Sequence, residues 1–262
     1  MLPAHLTKDK AVLHCQFLEN TFELAQLDDG AVNGTALWLS GQVMSYYIAD
    51  NFRPKPRCEN KLCELGSGIG LTALAAASLG WQVLATDIDE VVNKVLRPNI
   101  VRNSTSTRQP IQVSELDWTI PTGDWRWDDA HAIATSSTRT SSPPLETTSI
   151  TPPFDLICTG DTVYSPELVT PLLRTLHAIC NASKARKPTV LLCLERRDPA
   201  VADKLIGDAK DVWQFVIENV PQRKLVKALE RGGCRWAKDD WDGIELYKLR
   251  LPIAVAFDSN IH

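Results

Sequence analysis

Continuous apolar runs alternate with segments of helical periodicity along most of this 262-residue chain. Runs of strand length begin near Lys61, Trp81, Val113, Phe154 and Thr189. Between these runs, apolar residues recur at the three- and four-residue spacing that is typical of one face of an α-helix. Strands that alternate with helices in this way predict a doubly wound α/β fold with a mostly parallel sheet.

The two ends of the chain carry weaker patterns. Apolar residues at mixed spacing over 11–27 predict one or two short strands, which we assign to an N-terminal cap covering residues 1–33. Apolar residues between 212 and 229 predict a helix that the glycines at 232 and 233 would close. Residues 234–251 predict an antiparallel hairpin with its turn near 238–243. The main domain is therefore expected to cover residues 34–262.

A Ser/Thr/Pro-rich stretch interrupts this alternation after the run that begins at Val113. Such a stretch has too few apolar side chains to offset its own loss of conformational entropy on folding. A connection of this length inside a compact domain is usually disordered or functional. We therefore expect a flexible insertion at about residues 122–152, at the edge of the sheet that carries the ligand.

Three glycines on alternate positions follow the first of the strand-length runs, in the order Glu64-Leu65-Gly66-Ser67-Gly68-Ile69-Gly70. A pattern of small residues typical of a tightly packed helix comes next. Glycines at a strand exit let the backbone take a positive φ and approach a ligand closely, and the helix behind them offers N–H groups. The alternative is a turn that needs glycine only for its own conformation, because a lone Gly-x-Gly pattern has low specificity.

An acidic residue ends the next predicted strand, about 20 residues beyond the glycines. Asp87 closes that apolar run, whereas Asp89 is interpreted as the N-cap of a helix over residues 90–96. In a doubly wound sheet the adjacent parallel strand ends beside the first, so this carboxylate reaches the ribose hydroxyls of a bound nucleoside. The glycine turn and the spaced acid together predict a nucleoside-binding site.

Two tryptophans stand at strand or helix ends. Asp117 and Trp118 follow the third strand, where the acid could accept from an adenine amino group and the indole could stack on the ring. An exposed loop acid beside a core tryptophan explains this pair equally well. Trp38 stands near the start of a helix predicted over residues 34–50, where a core position is favoured over a ligand contact.

Charge and cysteine content add constraints on partners and compartment. The 28 Lys and Arg residues and 32 Asp and Glu residues give a net charge of −4, without the basic bias of a nucleic-acid-binding surface. The N-terminus lacks a signal-peptide core, and no apolar run has the length of a membrane span. Seven scattered cysteines without a Cys-x-x-Cys pair indicate a reducing compartment. We expect a monomer in the cytoplasm, with the nucleus as a second location, that has no metal site and binds neither membrane nor nucleic acid.

Several further segments match one known group of enzymes. In chain order the matching segments are Gly34 to Gly41, the glycine motif 64–70, Thr86-Asp87, Asn99 with Asn103, Leu116-Asp117-Trp118, Asp161-Thr162-Val163-Tyr164 and Gly243 to Leu246. Over about residues 30–251 the chain resembles class I S-adenosylmethionine-dependent methyltransferases, and within them the methyltransferase-16 family of protein-lysine methyltransferases.

This resemblance implies a Rossmann-like sheet of seven strands with an antiparallel last strand, and S-adenosylmethionine as cofactor with S-adenosylhomocysteine as product. It also implies a protein substrate that is methylated on lysine. Ten residues are expected to hold the cofactor, and they are Trp38, Glu64, Gly66, Ser67, Gly68, Gly70, Asp87, Asp117, Trp118 and Gly160.

Asp161 and Tyr164 are the expected catalytic residues in this resemblance. Asp161 would orient the lysine amine and accept its proton, and Tyr164 would present an aromatic wall to it. A helix N-cap beside a core tyrosine is the alternative for this pair. The charged run 195–197 either holds an acidic or backbone feature of the substrate or forms a solvated cluster. For the whole protein, the alternatives are a non-catalytic cofactor-binding or scaffold protein and a methyltransferase of small molecules.

Overall fold

A computed structural model describes residues 6–7, 9–27, 33–136, 149–183 and 188–252. An antiparallel hairpin of β1 (Val12–Phe17) and β2 (Asn20–Ala25) comes first. The other described strands form one sheet, and they are β3 (Lys61–Leu65), β4 (Gln82–Asp87), β5 (Ile111–Leu116), β6 (Ala132–Ala134), β7 (Leu156–Gly160), β8 (Thr189–Glu195), β9 (Val216–Asn219) and β10 (Ile244–Arg250).

Helices connect the strands and cover both faces of the sheet. They are α1 (Leu39–Asn51), α2 (Leu71–Leu79), α3 (Asp89–Val91), α4 (Arg97–Arg102), α5 (Val169–Ala182), α6 (Pro199–Asp211) and α7 (Gln222–Arg231), with a π-helical turn, Val92–Leu96, joining α3 to α4. Within the described ranges no helix combines the length and the apolar character that crossing a membrane requires.

The strand order in the sheet is β6-β5-β4-β3-β7-β8-β10-β9. The six strands from β6 to β8 run parallel, and β10 is antiparallel to both of its neighbours. The doubly wound α/β fold with a mostly parallel sheet and an antiparallel last strand is therefore confirmed. The sheet has eight strands rather than the expected seven, because the short β6 adds an edge to β5.

Alternating side chains of the parallel strands divide the core into two layers, as the two-residue repeat of a strand requires. Leu62 of β3 packs with α1, α2, α7 and the N-terminal hairpin on one face. Cys63 and Leu65 point to the opposite face, where α5 and α6 pack. Because both faces are covered, the ends of the strands are where a ligand can approach the backbone.

Two buried asparagines attach the N-terminal hairpin to the domain. The Asn99 side chain accepts from the Ala25 N–H at 2.8 Å and donates to the Ala25 carbonyl at 2.8 Å. Asn103 makes the same pair of bonds with the backbone of Glu23, at 2.9 and 2.8 Å. Asn99 also donates to the carbonyl of Ile69 at 3.0 Å, which links the hairpin to the glycine turn. The cap therefore supports the turn from behind.

Three sequence-based expectations about elements are wrong. Val216–Asn219 is a strand on β10 and not part of a helix over 212–229, because edge pairing outweighs the helical spacing there. The predicted hairpin over 234–251 is absent from the described residues, since the partners of β10 are β8 and β9. Helix α3 begins at Asp89 and has Ile88 as its N-cap, so Asp89 is not the cap.

The expected insertion at 122–152 is also partly wrong. Its described beginning carries β6 and places Trp125 and Trp127 against the core layer that contains α5. Trp127 lies 6.3 Å from the ring of Phe154, so the segment contributes to the core. Residues 137–148, which contain most of the Ser/Thr/Pro-rich stretch, lie outside the described residues.

Candidate active site

The carboxyl ends of β3, β4 and β7 reach the same edge of the sheet in register. Leu65 pairs with Thr86 on one side and with Thr159 on the other. The next residues of the three strands, which are Gly66, Asp87 and Gly160, therefore leave the sheet at one level. A cleft of about 320 Å³ opens there. Nine of the predicted site residues line it: Trp38, Gly66, Gly68, Asp87, Asp117, Trp118, Gly160, Asp161 and Tyr164.

The glycine turn forms one wall of the cleft with its backbone. Gly66 has a φ of +66° and Gly68 a φ of +53°, which side chains with a Cβ rarely adopt. A Cβ at Gly66 would lie 2.4 Å from Cγ2 of Thr162, and one at Gly68 would lie 3.1 Å from the carbonyl oxygen of Gly34. The turn is therefore closely packed on the cleft side, and its glycines are required both for conformation and for space.

Asp87 lies beside this turn. Its Oδ2 accepts from the Gly68 N–H at 2.9 Å, and its Oδ1 accepts from the Ile88 N–H at 2.9 Å. Burial raises the pKa of Asp87 to about 6, although both backbone bonds oppose that shift. Each carboxylate oxygen keeps a second lone pair, so Asp87 can still accept from a ligand hydroxyl in the cleft.

Glu64 and Ser67 lie behind the turn, in a second cavity of about 40 Å³ that also touches Trp38 and Gly160. Burial raises the pKa of Glu64 to about 8. Its Oε2 has no hydrogen-bond partner among the described residues. The Ser67 hydroxyl accepts from the Thr86 N–H at 3.1 Å and so ties the turn to β4.

Gly70 lies apart from both cavities. It has a φ of +90° immediately before α2, and a Cβ there would meet Cδ1 of Leu96 at 3.0 Å and Cδ1 of Ile100 at 3.1 Å. Its requirement for glycine comes from this packing. The third glycine of the motif is thus not brought to the cleft with the other two.

Asp117 and Trp118 both reach the cleft wall. The Asp117 Oδ1 accepts from the N–H and the hydroxyl of Thr119, at 2.8 and 2.7 Å. Trp118 is half-buried opposite the glycine turn, with its Cη2 3.4 Å from the position a Cβ would take at Gly66. Its Nε1 is buried and has no hydrogen-bond partner among the described residues. Trp38 is also half-buried and lines both cavities instead of being enclosed in the core.

Asp161 joins three elements at the inner end of the cleft. Its Oδ1 accepts from the Glu195 N–H at 2.7 Å, and its Oδ2 accepts from the Ser40 N–H at 3.4 Å. Burial raises the pKa of this carboxyl group. The alternative of an N-cap with a core tyrosine is wrong, since Ser165 precedes the following helical turn and Tyr164 is 63% exposed. Asp161 therefore links the ends of β7 and β8 to the start of α1.

Sequence reasoning missed several residues that line the cleft, and they are Gly34, Ile88, Val91, Leu116, Thr119, Thr162 and Leu168. Ile88 is 41% exposed directly after Asp87, a position that its sequence neighbour could have indicated. Gly34 was noted only as part of a family match. A Cβ at Gly34 would lie 2.8 Å from Cγ2 of Val91, so it brings the start of the domain close to α3.

Comparisons with known proteins agree with this geometry. A family model described as lysine methyltransferase matches residues 19–128. The protein-lysine methyltransferase METTL21E of Bos taurus is 26% identical over 211 residues, which cover 79% of this chain and 65% of that protein. The protein N-lysine methyltransferase METTL21A of Mus musculus is 30% identical over 168 residues, covering 63% of this chain and 64% of that protein. The chain thus spans just under two thirds of the length of these two curated relatives.

A solved structure described as a methyltransferase complexed with SAH has a TM-score of 0.50 and 9% identity, covering 92% of this chain and 56% of the other. At that identity the likeness concerns the fold alone. The resemblance to class I methyltransferases and to the methyltransferase-16 family, read from the sequence, is confirmed.

Proposed function

We propose that this chain, a relative of the methyltransferase-16 lysine methyltransferases, transfers methyl groups from S-adenosylmethionine to a lysine side chain of a protein substrate. The observation that carries the proposal is the cleft at the ends of β3, β4 and β7. It places a glycine backbone, a carboxylate and a tryptophan around one volume. Such a set suits an adenosine with a charged tail.

The residues present fit this cofactor. The backbone at Gly66 and Gly68 leaves space that a Cβ would fill, and Asp87 can accept from ribose hydroxyls. Trp118 offers an apolar face for a base. The unpartnered Oε2 of Glu64 suits the cationic groups of the cofactor, because a buried carboxylate is stabilised by a nearby positive charge. When bound, the cofactor supplies an activated methyl group.

Asp161 and Tyr164 are the residues that we assign to the acceptor amine. A lysine must arrive neutral, although its unperturbed pKa is about 10.4. The partly apolar surroundings of the cleft favour the neutral amine. Tyr164 offers its ring to the side chain, and Asp161 orients the amine and accepts the proton that it loses. Holding amine and methyl group in line provides the rest of the rate enhancement.

The proposal is tested by incubating the purified chain with cell lysate and isotope-labelled S-adenosylmethionine, then mapping mass increments after proteolysis. We expect label on lysine side chains of one or a few proteins. Asp87→Ala, which lacks the ribose-binding carboxylate, is the control and should incorporate no label. Label on a small molecule, or cofactor binding without any transfer, would support the alternatives instead.

The remaining expectations about this protein are part of the same proposal. We propose that it acts as a monomer in the cytoplasm, with the nucleus as a second location, and that it binds neither membrane nor nucleic acid. Size-exclusion chromatography with light scattering, and imaging of a tagged chain in cells, would test these points.

A further inference from the structure

A second cavity of about 110 Å³ adjoins the cleft and is called here the side pocket. It lies between the ends of β7 and β8 and the first turns of α6. Asp161 and Tyr164 line both the side pocket and the cleft. A group held in the side pocket therefore lies next to the two residues assigned to the acceptor amine.

The floor of the side pocket is aliphatic, and its lining side chains are Val163, Leu194, Val201, Ala202 and Leu205. Leu205 is only 2% exposed and Ala202 only 6%, so the floor belongs to the packed core beneath α6. A rigid apolar floor accepts an aliphatic side chain at little entropic cost. It disfavours a second charged group, which would lose its hydration there.

The rim of the side pocket is acidic. Three carboxylates, Asp161, Glu195 and Asp198, face a single guanidinium, Arg197. Arg197 pairs with Glu195, and its guanidinium stacks 4.5 Å above the ring of Trp38, which lines the cleft. The charge of the neighbouring Arg196 is directed away, since Arg196 pairs with Asp203 and Glu245. An excess of negative charge around an apolar floor suits a cationic peptide segment.

We propose that the side pocket binds an aliphatic side chain of the protein substrate, one that flanks the target lysine along its chain. The proposal rests on the proposed function and specifies part of its substrate. Successive residues of an extended peptide are about 3.3–3.6 Å apart along the chain, so a flanking residue can reach a pocket that shares two walls with the lysine site. The pocket then sets which lysines are methylated.

The test uses a synthetic peptide library with one central lysine, two randomised positions on each side, and labelled S-adenosylmethionine. We expect the methylated fraction to be enriched in Val, Ile, Leu or Met at one flanking position. Ala202→Leu places extra bulk in the pocket. It should reduce kcat/KM for the aliphatic-flanked peptides at least about 10-fold and shift the preference to glycine or alanine.

Ala200→Leu is the matched control, because Ala200 is exposed on the same helix and does not line the pocket. It should keep the wild-type preference. Val201→Ala enlarges the floor without adding bulk and should admit larger flanking residues, which covers the case that Ala202→Leu does not fold. Binding of S-adenosylhomocysteine should be unchanged in all three variants.

Three results would overturn the proposal. Methylation of all library members alike, enrichment of charged flanking residues, or equal effects of the changes at 200 and 202 would contradict the pocket assignment alone. A chain that binds S-adenosylhomocysteine but methylates no library peptide would contradict the proposed function, and the pocket assignment with it.

Discussion

The cleft and the side pocket share Asp161 and Tyr164, yet they are built from different materials. The glycine turn exposes backbone to the cleft, with positive φ at Gly66 and Gly68. Ordinary aliphatic side chains of β8 and α6 form the floor of the side pocket. A wall made of backbone tolerates almost no substitution, whereas a wall of side chains can change its size by single replacements. We infer that the cleft fixes the cofactor and that the side pocket is where substrate choice can vary.

The largest effect is expected at the glycine wall. Gly66→Ala adds a Cβ 2.4 Å from Cγ2 of Thr162 at a positive φ. Backbone strain of about 1–3 kcal/mol, together with the clash, should weaken S-adenosylhomocysteine binding at least about 100-fold in calorimetry. Gly207→Ala is the matched control, since Gly207 lies in α6 with open space around it. Equal affinities for both variants would remove the distinction between the two walls.

The shared residue Asp161 should show the next largest effect. Asp161→Ala leaves the buried N–H groups of Ser40 and Glu195 without their acceptor, which costs about 1–3 kcal/mol for each group. Chemical denaturation measures that loss. Asp161→Asn keeps an acceptor oxygen and should recover part of the stability. If it also recovers the turnover number, Asp161 positions the site and does not accept the proton.

The pH dependence separates the cofactor side from the substrate side. Burial raises the pKa of Asp87 from 3.8 to about 6. Only the ionised carboxylate is a full acceptor for ribose hydroxyls, so S-adenosylhomocysteine affinity should fall up to about tenfold per unit below pH 6. Calorimetry from pH 5 to 8 measures this change, and Asp87→Asn should abolish it.

Stability of the ligand-free chain should change in the opposite direction. Since the folded-state pKa is raised, the folded chain binds this proton more tightly than the unfolded chain does. The contribution is fully present below about pH 3.8 and is lost as the pH rises through about 6. Unfolding curves for the wild type and Asp87→Asn should therefore approach each other at acid pH. A constant difference between them would contradict the raised pKa.

The smallest effect is expected where the two regions touch. Arg197→Ala removes the guanidinium above Trp38 and should cost about 0.5–1 kcal/mol, because the arginine side chain is half-exposed. Peptide KM should rise a few-fold while the turnover number changes little. Arg197→Lys keeps the charge and should retain part of the contact. A loss of turnover equal to that of Asp161→Ala would place Arg197 in the chemistry.

Much of the cleft could be predicted because its residues follow strands directly. Gly66, Asp87 and Asp117 each come immediately or nearly so after an apolar run, and parallel strands bring such ends together. Gly70 obeys the same motif but lies against Leu96 and Ile100. Nothing in its local sequence separates a glycine needed for packing from one needed for a ligand.

The sequence by itself determined the doubly wound order, the strand ends that carry polar residues, and the family resemblance, because these depend on short-range periodicity and on local motifs. Only the tertiary structure decided the pairing of Val216–Asn219 with β10, the three-way link through Asp161, and the side pocket. Each of these joins segments that are far apart in the chain. Their contacts follow from packing and edge pairing, which leave no periodic pattern in the sequence.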